Sequence, residues 1–215
     1  MKFGKKLLST VLAAGIAFST CAVILPAVVS ALEEPSVYEL EDSGKWVNNN
    51  SKGEFDIYGN TMMLNGQEGQ VYHSGKVIGA NELVAFKARF EFNDPAGWIA
   101  FKLRSSKPND QIWNNINTYY VLVTPTTFSL NKVKDGATIP LKDVANTQVT
   151  DGEYHDIQFG VINDTGTAAK IIMKVDGETV LDVTDNDRLE LDSYFSVNSY
   201  LDTTIELDVK PVEGG

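Results

Sequence analysis

Trp113 stands in the run Asn109-Asp110-Gln111-Ile112-Trp113-Asn114-Asn115-Ile116-Asn117, and that combination of types has a chemistry. An indole face stacks on the apolar face of a pyranose, while primary amides both donate to and accept from sugar hydroxyls. Trp113, Asn114 and Asn115 are therefore read as a saccharide-binding set. Arg104, Tyr119, Tyr120 and Trp98 on neighbouring segments are their candidate companions. The competing reading tucks Ile112 and Trp113 inward to anchor a long loop. Trp98 has the same two readings, lining a polar face or packing under a loop, and Trp46 reads as a staple of the N-terminal segment.

Asp182, Asp185, Asn186, Asp187 and Asp192 crowd around one turn. Hard oxygen ligands at alternating positions suit calcium, so Asp182, Asp185 and Asp187 are its candidate ligands. The alternative is a solvated acidic turn, since no EF-hand spacing is present. Nucleophilic catalysis has little to stand on. His73 and His155 are the only histidines, no Gly-x-Ser-x-Gly elbow occurs, and the single cysteine is Cys21. Neither histidine has a second at metal-ligand spacing. No catalytic residue is assigned.

The elements that must position these residues have a period of two. Between Leu83 and Phe92, Val84, Phe86, Ala88 and Phe90 alternate with Ala85, Lys87, Arg89 and Glu91, which predicts a half-buried antiparallel strand. Asn93 to Gly97 is a turn, and Trp98 to Arg104 a second strand. Further strands are predicted at Tyr119–Thr124, Phe128–Val133, Asp156–Ile162, Ala169–Val175, Glu178–Val183, Tyr194–Ser199 and Thr204–Val209. Asp176-Gly177 between two alternating runs is a strong hairpin signal. No window carries a helical stripe with caps. About a dozen evenly spaced strands argue for an all-β, two-sheet antiparallel sandwich rather than a small barrel.

The N-terminus reads differently. Lys2, Lys5 and Lys6 precede an apolar run from Leu7 that ends Val29-Ser30-Ala31, which predicts a secretory signal peptide over residues 1–31 and a single domain over 32–215. An uncleaved anchor and lipidation at Cys21 are the alternatives. Removing that segment leaves 15 basic against 29 acidic residues, a formal charge of −14 against −11 for the whole chain. Such a charge repels phosphate backbones and anionic lipid, so neither nucleic acid nor membrane insertion is expected after cleavage. With 43% hydrophobic residues the chain is rich enough for a packed core.

The order of motifs resembles the concanavalin A-like lectin/glucanase superfamily, and within it the laminin-G-like and 3-keto-disaccharide hydrolase-like domains. The likeness covers roughly residues 36–210. It is carried by Glu82-Leu83-Val84-Ala85-Phe86-Lys87, by Gly97-Trp98-Ile99-Ala100-Phe101-Lys102-Leu103-Arg104, and by the pair Tyr119–Val123 and Phe128–Lys132. Gly152-Glu153-Tyr154-His155-Asp156-Ile157, Lys174-Val175-Asp176-Gly177 and Tyr194–Ser199 complete it. Tyr154 stands where a tryptophan is commoner, and Ser193 and Tyr194 where a glycine often opens the last strand. The resemblance implies a jelly roll and a structural role for His155. It also implies one of three activities: a secreted or cell-surface carbohydrate-binding module for polysaccharide or glycoconjugate, a glycoside hydrolase, or an adhesive surface protein. The Glu-x-Asp-x-x-Glu strand of the superfamily's glucanases is missing. Glu190-Leu191-Asp192 begins it and then runs into Ser193, Tyr194 and Phe195. Binding without catalysis is thus the leading expectation.

Overall fold

A computed structural model describes residues 35–40, 45–49, 52–66, 68–106, 116–163 and 166–208, all within the compact unit Leu32–Gly215. The predicted signal segment lies outside the described residues. Fifteen strands run through the described residues: β1 (Ser36–Glu39), β2 (Trp46–Asn48), β3 (Glu54–Tyr58), β4 (Thr61–Asn65), β5 (Gly69–Ile78), β6 (Glu82–Phe92), β7 (Trp98–Leu103), β8 (Thr118–Val123), β9 (Thr127–Lys134), β10 (Ala137–Ala145), β11 (Tyr154–Asn163), β12 (Ala169–Val175), β13 (Glu178–Asp185), β14 (Ser193–Tyr200) and β15 (Thr203–Asp208). The nine predicted strands coincide with β6 to β9 and β11 to β15, each end within two residues. The strands β1 to β5 and β10 are additions.

Two sheets result. An eight-stranded sheet has the order β13-β12-β11-β6-β15-β4-β3, with β1 added parallel to β6 beside Glu82–Ala85. A seven-stranded sheet has the order β10-β9-β8-β7-β14-β5-β2. All other pairings are antiparallel. The last hairpin therefore sits in the middle of both sheets, with β14 between β7 and β5 and β15 between β6 and β4.

Alternation explains the packing. Val84, Phe86, Ala88 and Phe90 of β6 face Ile99, Phe101 and Leu103 of β7 across one apolar core. Phe86, Phe101 and Phe195 form its aromatic centre, with ring centroids 5.0, 5.1 and 5.8 Å apart. Each such ring contributes about 1.5–3 kcal/mol through burial. Trp46 packs edge-on against His73 and Phe195, so it tethers β2 to this core. The turns obey backbone sterics. Asp176 and Gly177 both have positive φ, 51° and 83°, as a two-residue hairpin between right-twisted strands requires. Asp135 and Gly136 do the same between β9 and β10, at 52° and 79°.

Candidate functional site

On the seven-stranded sheet the residues that alternate with the core point outward. They are Trp98, Ala100 and Lys102 of β7, Tyr120 and Leu122 of β8, and Ser196, Asn198 and Tyr200 of β14. Register places Trp98 directly opposite Tyr200. Their rings stack, with centroids 5.2 Å apart and planes 21° from parallel. Tyr200 is 37% exposed, so the pair offers an aromatic surface to solvent. Behind it lies a second apolar cluster of Ala100, Tyr120 and Val133, against which Trp98 and Leu122 pack.

The backbone beneath this pair is fixed by its neighbours. The buried Thr203 hydroxyl lies 3.0 Å from the Tyr200 carbonyl oxygen and 3.4 Å from that of Trp98. Gly97 makes the close approach of the two turns feasible, since a Cβ there would sit 2.2 Å from Thr203 Cγ2. One step down β14, two residues or about 7 Å from Tyr200, is Asn198. Its side chain is buried at 4% exposure, and its Oδ1 finds no donor among the described residues. A buried acceptor without a donor costs about 1–3 kcal/mol. Tyr200 also edges a cleft of ≈ 700 Å³ with Asn65, Asp94, Asp202, Lys52 and Glu68 on its walls. Lys52 is ion-paired to Glu68, and Asp94 Oδ1 accepts from the Ala96 amide at 2.8 Å.

The sequence-derived set divides. Trp98 and Tyr120 share the outer face, although Tyr120 is 1% exposed and burial pushes its hydroxyl up to about 12. Tyr119 is not a surface residue. It alternates with Tyr120, so the two cannot face one side, and it points into the core. Arg104 is also internal, at 4% exposure. Strand alternation stops at Leu103, and φ of +53° at Arg104 turns its side chain between the sheets. There Nη1 donates to the Leu189 carbonyl at 2.7 Å and Nη2 to that of Val161 at 3.4 Å. Burial lowers its pKa. Trp113, Asn114 and Asn115 lie outside the described residues. The base of their loop, where the Ser106 amide donates to the Asn117 carbonyl at 2.9 Å, is at the end of β7 opposite Trp98.

The acidic turn already has cations. Lys132, with 3% of its side chain exposed, donates to Asp185 Oδ2 at 2.7 Å and to the Asp187 carbonyl at 2.6 Å. Tyr119 donates to the same Asp185 oxygen at 2.5 Å and accepts from the Leu189 amide at 3.1 Å. Burial opposes ionisation of Asp185, but the bonds from Lys132 and Tyr119 outweigh it and hold its carboxyl below the usual range. Asp187 is bound by Lys134 at 2.6 Å, and Asp182 by Lys170 at 3.0 Å. Asp185 and Asp187 thus share Lys132, with Lys134 added at Asp187, while Asp182 turns away to Lys170. Among the described residues no three His, Cys, Asp or Glu side chains group as a metal site.

His155 is clamped between carboxylates. Its Nδ1 is 2.8 Å from Asp176 Oδ2 and its Nε2 2.9 Å from Asp151 Oδ1. Burial works against its charge, but the bonds to Asp176 and Asp151 prevail and raise its pKa. Both ring nitrogens are engaged, which fixes the turn ahead of β11 to the β12–β13 hairpin.

No family model and no curated protein sequence matches the chain. Solved structures do. A carbohydrate-binding module, CBM66, from Bacillus subtilis superposes with a TM-score of 0.54 at 13% identity, over 81% of this chain and 98% of that one. A β-1,3-1,4-glucanase (lichenase) derived from a mouse hindgut metagenome gives 0.56 at 12% identity, over 80% and 95%. The legume lectin-like domain from Entamoeba histolytica gives 0.54 at 12%, over 76% and 87%.

The fold is the concanavalin A-like jelly roll.

Identities this low establish the architecture and leave activity to the side chains. In this jelly roll the residues that sequence reasoning did not single out are Tyr200 and Asn198. Alternation with Phe195 and Val197 puts Asn198 on the outer face, and extending the same run by one residue would have found Tyr200. The pairing of Tyr200 with Trp98 is a property of the sheet order and has no local signal.

Proposed function

We propose that this protein is an exported carbohydrate-binding jelly roll, seating a glycan on the Trp98–Tyr200 stack. The observation that carries the reading is the stacked Trp98–Tyr200 pair on the outer sheet face, with Tyr200 37% exposed at the edge of the cleft walled by Asn65, Asp94 and Asp202. A pyranose lays its apolar face on such rings. The cleft beyond Tyr200 extends the contact with amide and carboxylate acceptors. Similarity to carbohydrate-binding, lectin and glycanase structures supports the sugar as ligand class. Export is proposed from the lysine-led apolar run over residues 1–31. Binding is proposed to be calcium-independent, because the acidic turn is engaged by lysines.

Binding is favoured over hydrolysis by the carboxylates. A glycosidase acid needs a raised pKa. Every described carboxyl with a displaced pKa, namely Asp151, Asp176, Asp185, Asp187 and Glu206, is displaced downward.

The test is retardation of the protein in native gels cast with neutral galactomannan, xyloglucan, mixed-linkage β-glucan or levan, and with anionic polygalacturonate. Selective retardation by a neutral polymer is expected, with no release of reducing ends. Loss of the Trp98 stack is worth about 1 kcal/mol or slightly more, so Trp98→Ala weakens retardation about tenfold. If Trp113→Ala abolishes retardation while Trp98→Ala leaves it intact, the site belongs to the 107–115 loop instead.

A further inference from the structure

The opposite face of the sandwich carries a second aromatic surface. On the eight-stranded sheet Tyr154, Arg89, Glu206 and Met63 occupy one row across β11, β6, β15 and β4. All four alternate with core residues and so point outward. Tyr154 donates its hydroxyl to Glu206 Oε2 at 2.8 Å. Tyr58, on the edge strand β3, hydrogen-bonds the same carboxylate from the other side. Arg89 Nη2 holds Glu206 Oε1 at 2.6 Å, and its guanidinium lies 5.5 Å from the centre of the Tyr154 ring.

The geometry of these bonds dictates how the rings lie. Each tyrosine starts two strands away from Glu206, about 10 Å at the ordinary strand spacing. A side chain standing upright on the sheet does not reach that far sideways. Both rings must therefore recline over the intervening strand, Tyr154 across β6 and Tyr58 across β4, with their hydroxyls meeting at Glu206. Yet Tyr154 remains 41% and Tyr58 47% exposed. The hydroxyls are committed to the carboxylate, so what the two residues leave to solvent is ring surface. Tethering also removes the rotamer freedom that an unanchored surface tyrosine surrenders on binding.

We propose that Tyr58 and Tyr154 form a second saccharide-stacking platform, for an uncharged polysaccharide lying across the strands. From β11 to β3 the platform spans four strand spacings, about 19 Å, which suits a polymer better than a monosaccharide. Its charged surroundings select against acidic glycans, since Asp56, Glu91, Asp156, Asp182, Glu206 and Asp208 outnumber Lys87, Arg89, Lys170 and Lys174 on this face. The inference rests on the glycan-binding reading of the Trp98–Tyr200 face and adds a consequence to it. One chain with stacking surfaces on two opposed sheet faces bridges two polymer strands and gains affinity by avidity.

Light scattering and native-gel retardation of the full chain with galactomannan, xyloglucan and mixed-linkage β-glucan test this. The unmodified protein is expected to enlarge the particles of at least one of these polymers and to be retarded by the same one. Combining Tyr58→Ala with Tyr154→Ala is expected to abolish the growth and weaken retardation by at least about tenfold through lost avidity. The residual binding is then removed by Trp98→Ala. Tyr58→Ala alone, a change at an exposed edge position, gives the same loss of growth if the double variant does not fold. Unchanged particle growth in either variant overturns the second platform and leaves the first standing. Absence of any retardation of the unmodified protein overturns both.

Discussion

Replacing Lys132 by alanine removes the one ammonium group that, among the described residues, touches the buried Asp185 carboxylate, whose own side chain is 7% exposed. The carboxylate would keep two neutral donors, the Tyr119 hydroxyl and the Asp187 amide at 3.0 Å. Breaking one side of a buried pair costs about 3–5 kcal/mol, because the surviving charge is left uncompensated. For a domain of this size each kcal/mol moves the melting temperature by about 2–4 °C, so Lys132→Ala should lower it by about 6–20 °C. Lys134→Ala is the internal control. It removes a neighbouring lysine bound to the largely exposed Asp187, a contact screened by solvent, and should cost no more than a few degrees. A third arm, Lys132→Met with Asp185→Leu, removes both charges and should recover much of the loss. Calorimetry of the three variants beside the unmodified protein, each with calcium and with chelator, gives the comparison. Calcium should leave the melting temperature of the unmodified protein where the chelator puts it. Equal, small losses for Lys132→Ala and Lys134→Ala, together with stabilisation by calcium, would refute the argument and return the acidic turn to metal binding.

The His155 clamp makes stability depend on pH with a definite sign. A raised histidine pKa contributes fully below the unfolded value of about 6.5 and is lost as pH rises through the folded one. The lowered Asp151 and Asp176 contribute above about 3.9 and lose that contribution in acid. The difference in melting temperature between the unmodified protein and His155→Gln should therefore be largest between about pH 4 and 6.5 and shrink toward pH 9. A difference that is flat or grows with alkalinity contradicts the clamp. Gly97→Ala should cost about 1–3 kcal/mol and loosen the aromatic pair, since its methyl meets Thr203 and the Asp94 carbonyl. Tryptophan fluorescence should register a changed Trp98 environment there, whereas an unperturbed spectrum and melting curve would show that the turn yields freely.

Sequence periodicity discloses those strands whose two faces differ. β6, β12 and β15 bury one face and wet the other, so their patterns are clean. β10 is exposed nearly throughout and contains Pro140, so no alternation marks it, and only Asp135-Gly136 ahead of it gives a hint. β1 has four residues and gains its place from parallel pairing with β6, a long-range event without local pattern. At the site, periodicity placed Trp98 and misplaced Arg104. A single residue at positive φ reverses the face of a side chain, and nothing in Leu103-Arg104-Ser105 announces that conformation. The acidic turn was legible as charge but not as pairing, because Lys132 and Lys134 lie about fifty residues away and only the fold unites them with Asp185 and Asp187.

The central position of the last hairpin governs the order in which this molecule assembles. β2 and β5 join the rest of their sheet solely through β14, and β3 and β4 join theirs solely through β15. Until residues 193–208 emerge from the ribosome, β2 to β5 have no strand pairing with β6 to β13, and both half-cores present open edges. Closure waits for contacts of high sequence separation, which are slow to form. A chain of this topology completes its two sheets only after its final strands arrive.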